Sequence, residues 1–212
     1  MAGITNKASL IMKEKGKPFP VNGEAGVMSP LVFGGGKQLG VVFPFTPTIQ
    51  LSHTANYGTY DPAGSIAQQS YYMNTSNATI SITALFPSNT EAEAAYTAAA
   101  IHFFKTCTRS DFGIEAGANA GTPPPILKLS CFGYVHASNV PCVIRNFMYT
   151  LPEDTDYVEI DVAGEKISVP TLSLLSVELA PQLTPKKVKD MFDIRKFASG
   201  DLLKGNNEGG FM

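Results

Sequence analysis

Chemistry in this chain would have to rest on three histidines, three cysteines, one glycine run ending in lysine, and two clusters of charge. His53, His102 and His136 lie in three separate stretches. A hydrolytic site needs a histidine oriented by a carboxylate and set beside a nucleophile. Asp111 and Glu115 follow His102, but no spacing pairs them with it, so packing or surface roles are expected for all three imidazoles. Cys107, Cys131 and Cys142 are odd in number and far apart, which argues against a disulfide framework and fits a reducing compartment. No Cys-x-x-Cys pair or Cys/His cluster offers metal-ligand spacing, so buried small hydrophobes are expected.

The remaining motifs give equally plain readings. Phe33-Gly34-Gly35-Gly36-Lys37 invites a phosphate loop, but Gln38 stands where Ser or Thr is needed and strand-like sequence follows where a helix should begin. A hinge is expected. Asn74-Thr75-Ser76 and Asn77-Ala78-Thr79 fit the glycosylation sequon, yet residues 1 to 20 lack the apolar core of a signal peptide. Asp154 and Asp156 lack the ligand ladder of a calcium loop and read as a turn. Lys186, Lys187, Lys189, Arg195 and Lys196 are interspersed with Asp190 and Asp193, without an aromatic platform for bases. An arm contacting an acidic neighbour is the better reading. Neither catalysis nor a cofactor or metal is expected.

Composition turns attention to the scaffold. The chain has 212 residues, enough for one core with extensions. Charged residues make up 16%, against about 25% in ordinary soluble domains, so much of the surface is expected to meet protein. A net charge of −2 gives no general attraction to nucleic acid. No apolar run is long enough to span a membrane, and a soluble protein made in the cytoplasm is expected.

The low charge is concentrated. From Val41 to Thr90 the one formally charged residue is Asp61, where the chain average would place about eight. Phe45, Pro47, Ile49, Leu51 and His53 alternate with Thr46, Thr48, Gln50, Ser52 and Thr54. Ala78, Ile80, Ile82 and Ala84 alternate with Asn77, Thr79, Ser81 and Thr83. Period two with β-branched residues predicts two long half-buried strands. Each has one apolar face and one face of small neutral polar groups. Tyr57 to Gln69, with Gly58, Asp61, Pro62 and Gly64, reads as a long hairpin loop between them.

A helix of about 16–18 residues follows, over about 90–107. Ser88 or Asn89 is its expected cap, Glu91 and Glu93 suit its first turn, and Ala92, Tyr96, Ala99, Phe103 and Cys107 share a face. After a loop over Gly113 to Pro125, strands are predicted at Ile126–Val135, Val140–Leu151, Tyr157–Val162 and Ser168–Leu179. Residues 1–40, with Lys7, Lys13, Lys15 and Lys17 among prolines and glycines, read as an N-terminal extension that orders only against a partner. Residues 41–180 form the β domain, and 181–212 form a charged C-terminal arm. The fold class is mainly β with one packed helix (α+β).

Several stretches in this order resemble the tail-tube-like baseplate proteins of contractile-tailed bacteriophages. They are Tyr57-Gly58-Thr59-Tyr60, Thr79-Ile80-Ser81-Ile82-Thr83-Ala84, Ala99-Ala100-Ile101-His102-Phe103-Phe104-Lys105-Thr106 and Gly121-Thr122-Pro123-Pro124-Pro125. Asn139-Val140-Pro141-Cys142-Val143-Ile144, Asn146-Phe147, Val169-Pro170-Thr171-Leu172, Phe197-Ala198-Ser199-Gly200 and the Gly210-Phe211-Met212 terminus are similar too. The resemblance covers about Phe45 to the C-terminus, and residues 1–40 do not share it. It implies a tail-tube-like antiparallel β-sandwich or barrel whose inner sheet joins that of five other copies in a homohexameric ring. It further implies a β-barrel bore that genomic DNA passes without specific binding. Such a ring links the central hub or spike protein to an adjacent tail-tube or baseplate ring, seeds tube assembly and meets a sheath-side protein. The implied location is the virion tail, assembled in the host cytoplasm.

Under that reading Thr46, Thr48, Gln50, Ser52, Asn77, Thr79, Ser81 and Thr83 are the expected channel lining. Neutral hydroxyls and amides would avoid the phosphate contacts that Lys or Arg would make. Tyr57, Tyr60, Asp61, Phe197 and Phe211 are the expected contacts to neighbouring rings or partners. The alternative is a β-sandwich binding module for carbohydrate or a virion ligand, with exposed aromatics such as Tyr57, Tyr60, Tyr71 and Tyr72 at its loop tips.

Overall fold

The computed structural model describes residues 8–12, 26–33, 38–64, 66–110, 121–133, 136–151, 153–162, 164–204 and 210–211. Lys7, Lys13, Lys15, Lys17, Gly34 to Lys37, Asp111, Glu115, Gly205, Gly209 and Met212 lie outside these residues, as does most of the segment read as a loop from Gly113.

The strands in chain order are β1 Ser9–Met12, β2 Val32–Phe33, β3 Gln38–Val42, β4 Thr48–Ser52, β5 Ala55–Tyr60, β6 Gln69–Thr75 and β7 Thr79–Pro87. Helix α1 spans Glu91–Cys107. Then come β8 Leu127–Cys131, β9 Ala137–Thr150, β10 Tyr157–Val162, β11 Glu165–Pro170 and β12 Leu172–Pro181, followed by α2 Pro185–Met191 and α3 Ile194–Ala198. Short 3-10 turns cover Gly26–Leu31 and Asp201–Lys204.

Eight strands form one antiparallel sheet in the order β2-β3-β1-β8-β9-β12-β7-β4, while β5-β6 and β10-β11 are separate two-stranded ribbons. The fold is therefore mainly β with one long helix. No closed barrel forms within the chain among the described residues. The sheet is open, with β2 and β4 as its outer strands, and what packs on it is α1. A single helix can cover only part of one face of a sheet this wide; on the other face the C-terminal arm meets the β8–β9 end, where Lys128, Asn139 and Pro141 line a cleft with Lys186, Lys187 and Asp190.

Alternation decides which face is covered. In β7, Ile80, Ile82, Ala84 and Phe86 are buried while Thr79, Ser81 and Thr83 are half-buried; in β12, Leu175, Val177 and Leu179 are buried. These pack against Ala99, Ala100, Phe103, Phe104 and Cys107 of α1 in one continuous core. The helix starts at Thr90, not at Ser88 or Asn89. Thr90 accepts from the Glu93 amide while the Glu93 carboxylate accepts from the Thr90 amide, a reciprocal pair that satisfies two otherwise orphaned donors. Ser88 instead turns inward and donates to Thr97 Oγ1 at 3.0 Å.

Tyr96 fixes the helix to the sheet. Its hydroxyl donates to the Val42 carbonyl at 2.8 Å and accepts from the Val42 amide at 2.9 Å, and its ring stacks on Phe86, which meets Phe43 edge-on. Burial pushes the Tyr96 phenol up, so it stays a neutral donor. On its far side α1 carries Ala94, Ala95 and Ala98 against Val158, Ile160, Val162, Ile167 and Val169 of the β10–β11 ribbon.

Three expectations need correcting. Part of the segment read as an N-terminal extension is sheet: β1 lies between β3 and β8, and Ala8 and Leu10 are buried. Its four residues are too short to show a period. The β3 backbone comes so close to β1 that a Cβ on Gly40 would sit 2.5 Å from the Leu10 carbonyl oxygen, so glycine is required there. Second, the hairpin loop is shorter than the segment from Tyr57 to Gln69, because Tyr57–Tyr60 and Gln69 belong to the β5–β6 ribbon. Turn residues mislead here because Gly58 pairs with Tyr71, whose ring lies where a Cβ would be. Third, the stretch from Ser168 to Leu179 is two strands in different sheets, broken at Thr171, whose amide donates to the Asp156 carbonyl.

If β1 is part of the sheet, Leu10→Ala should lower unfolding free energy by about 2–5 kcal/mol. Leu51→Ala, on the exposed outer strand β4, should change it by less than about 0.5 kcal/mol. Urea denaturation followed by circular dichroism measures both, and a neutral Leu10→Ala would remove β1 from the core.

Candidate assembly surfaces

The uncovered face of the sheet is built from rungs that cross four strands. Thr48 lies opposite Thr83, which lies opposite Ser176, which lies opposite Met148. Gln50 faces Ser81, then Glu178, then Asn146. Ser52 pairs with Thr79. Six of the eight sequence-predicted lining residues therefore share one face in three rungs. Thr46 and Asn77 do not join them; they lie outside the strands, exposed, just before β4 and β7. Thr83 and Ser176 hydroxyls approach to 3.4 Å across the rung.

The face is larger and less uniform than the two strands suggested. β12 adds Ser176 and Glu178, and β9 adds Asn146 and Met148. Glu178 meets Arg145, the residue at the β9 bulge, at 3.8 Å in a half-exposed pair. At that length and exposure the pair adds little stability, but it leaves the face without net charge. Beyond Thr48 the face turns apolar, with Leu85 opposite Leu174 and Pro87 opposite Leu172, and the three leucines each 44–45% exposed. The alternation of Leu175, Val177 and Leu179 with Ser176 and Glu178 was the available signal for β12.

This four-stranded unit ends in two free edges. Among the described residues β4 pairs only with β7. β9 pairs with β8 only through its first half, up to Cys142 opposite Leu127, so from Val143 to Thr150 its outer edge has no strand beside it among the described residues. Along that edge runs a cleft of about 490 Å³ lined by Lys105, Arg109, Arg145, Asn146 and Tyr149.

The predicted partner contacts fall in two places. Tyr57, Tyr60 and Asp61 are exposed on the β5–β6 ribbon. Phe197 and Phe211 come together through Phe192, each with its ring 5.9 Å from that residue's. Phe211 is buried, its amide donating to the Leu202 carbonyl, and Lys187 sits 5.4 Å over its ring. A groove of about 640 Å³ opens between this arm and the ribbon's root.

The chemistry-bearing residues stay dispersed. His53, His102 and His136 are exposed in separate elements, and no three His, Cys, Asp or Glu side chains group to hold a metal among the described residues. The strands β2 and β3 flank the glycine run, so it joins strand to strand, which no phosphate loop does. All three cysteines are free and buried. Among the described residues no helix is long and apolar enough to cross a membrane. No protein-family model matches the chain, and no curated protein matches it.

Burial raises all three thiols, with Cys131 pushed up to about 11 and Cys142 to about 12. An acid held neutral by the fold releases its proton first from the unfolded chain, so stability should be level below about pH 9 and fall as pH rises towards 11–12. Alkylation by iodoacetamide at pH 8 should label none of the three until denaturant is added. Rapid native labelling at any of them would place that thiol on the surface.

Proposed function

We propose that this chain is a non-enzymatic structural subunit that closes into a homohexameric ring, as a baseplate or tail-tube component of a contractile phage tail. The observation that carries the reading is the β4-β7-β12-β9 unit, which has a neutral polar face and an unpaired strand edge at each end. Such edges invite pairing with another chain, and joining β4 of one copy to the outer half of β9 in the next satisfies both. Six copies contribute about two dozen strands, and at roughly 4.8 Å spacing these enclose a circle about 37 Å across, wider with tilt. Thr48, Gln50, Ser52, Thr79, Ser81 and Thr83 then face the bore. Hydroxyls and amides hydrate such a wall without holding phosphate, and the Arg145–Glu178 pair offers no uncompensated cation. The role in linking hub to tube and in seeding the tube rests on the family resemblance of the sequence.

The exposed tyrosines Tyr57, Tyr60, Tyr71 and Tyr72 favour the second reading, a glycan-binding module. Glycan-array binding by a strictly monomeric protein would select it.

The ring is tested by cysteine pairs, which the unreactive native thiols permit. Variants combining Gln50→Cys or Ser52→Cys with Asn146→Cys or Met148→Cys should give, on mild oxidation, a covalent ladder ending at six. Electron microscopy should show closed rings with a central hole. A protein monomeric at every concentration, or rings in which no such pair ever links, would overturn the reading. In rings that do form, Thr79→Lys with Ser81→Lys should create salt-dependent DNA retention in a gel-shift assay that the unsubstituted ring lacks.

A further inference from the structure

The β5–β6 ribbon and the groove at its root complement each other, although they belong to the same molecule and cannot meet within it. All seven residues of β6 are exposed. Near the ribbon's tip, Ile66 is fully exposed and Tyr60 largely so, next to Asp61, the ribbon's one charge. An isolated two-stranded ribbon that displays this much apolar surface is marginal in water. It is stiffened along its length, with Tyr57 edge-on to Tyr72 at 5.9 Å and the Tyr71 ring against Gly58.

The groove offers the opposite chemistry. Its walls include Tyr72, Val188, Phe192, Ile194, Phe197 and Phe211, and neither α2 nor α3 buries a single residue within the chain. Around these apolar side chains the arm carries Lys186, Lys187, Lys189, Arg195 and Lys196 against Asp190 and Asp193. Asp193 is engaged in capping α3, accepting from the Arg195 amide at 2.8 Å. With Lys187 5.4 Å over the ring of Phe211, a groove wall, an apolar floor beside an ammonium matches an apolar knob with one carboxylate, and a volume of about 640 Å³ suits several side chains.

Position rules out self-docking. Tyr72 and Thr75 at the ribbon's root line the groove, so the tip stands off by the strand length, roughly 20 Å for six residues. We infer that the ribbon tip carrying Tyr60, Asp61 and Ile66 in one copy docks into the arm groove of a second copy of this chain. The contact joins two different patches, so it is head-to-tail and propagates into a closed ring or a stack of copies. It shares with the proposed ring only the premise that copies associate, and it uses none of the sheet edges.

The test uses the full-length chain and two variants that each add one exposed cysteine to the three buried native ones, Ile66→Cys and Ile194→Cys, at positions where folding is not at stake. Treated with a short bismaleimide, neither alone should link through these sites, while an equimolar mixture should yield a heterodimer. Adding Val188→Asp to the Ile194→Cys partner should abolish the link, and raising salt should weaken it, because Asp61 and the arm's charges are solvent-exposed. The double variant Ile66→Cys/Ile194→Cys should give linked oligomers. No heterodimer, or a link closed within one chain, overturns the inference, as does a link that Val188→Asp leaves intact. If the Ile66–Ile194 link forms while the sheet-edge pairs never do, the proposed ring fails and this contact stands. The reverse outcome keeps the ring and removes the contact.

Discussion

An eight-stranded sheet served by one long helix has more apolar face than it can cover by itself, and the rest of the molecule follows from that shortage. Helix α1 is spent on the strands from β7 to β1, locked there by the Tyr96 hydroxyl on Val42 and the Phe43–Phe86–Tyr96 stack. Its opposite side is taken by the β10–β11 ribbon. Nothing remains for the second face of β4, β7, β12 and β9, so the sequence there must tolerate water. It does so with Thr, Ser, Gln and Asn at the Thr48 end, and gives way to Leu85, Leu172 and Leu174 at the other. An exposed leucine row on a sheet costs solubility unless something covers it. The polar half of the face is built to stay wet, and the apolar half is not.

How much of this could be read beforehand depended on whether a residue's partner lay near in sequence. Within the nine residues of β7, Ile80, Ile82, Ala84 and Phe86 repeat with period two, so the strand and its buried face were plain. Helix α1 was equally plain from its alanines and terminal charges, although the cap moved to Thr90 because a reciprocal bond with Glu93 outweighs a lone Ser88 or Asn89 side chain. Six of the eight polar residues expected on one face do share it, because register follows from alternation once two strands pair. What was hidden depended on distant pairing. β1 is four residues long and gains its place from β3 and β8, both remote in sequence. The β5–β6 ribbon looked like a loop because Gly58 is a turn residue until Tyr71 fills the space above it. The arm groove needs Tyr72, Pro181, Phe197 and Phe211 together, and no local pattern spans them.

The distribution of charge argues about edges in particular. Natural sheets blunt their outer strands with lysine, proline or bulges to prevent accidental pairing. β4 has none of these within Thr48 to Ser52. The outer half of β9 has a bulge at Arg145, and Lys105 of α1 and Arg109 just beyond that helix stand beside it across the cleft. The two edges are therefore unlike, one neutral and one basic.

That difference bears on which pairing the molecule can use. Two β9 edges brought together would set Lys105, Arg109 and Arg145 of one copy against the same three in the other, a like-charge arrangement that is unfavourable before any hydrogen bond forms. Two β4 edges can pair, but the dimer they make leaves both β9 edges bare, so it satisfies half of the unpaired backbone. In the proposed ring, pairing β4 with β9 would bring a neutral strand to a basic one and use both edges of the four-stranded unit, while β2 remains the outer strand at the far end of the sheet. A bulge on one edge also twists it away from flat stacking, which favours curvature over an endless ribbon. Under the proposed assembly, the asymmetry that makes identical edges poor partners favours a head-to-tail contact, the kind that symmetry can close into a ring.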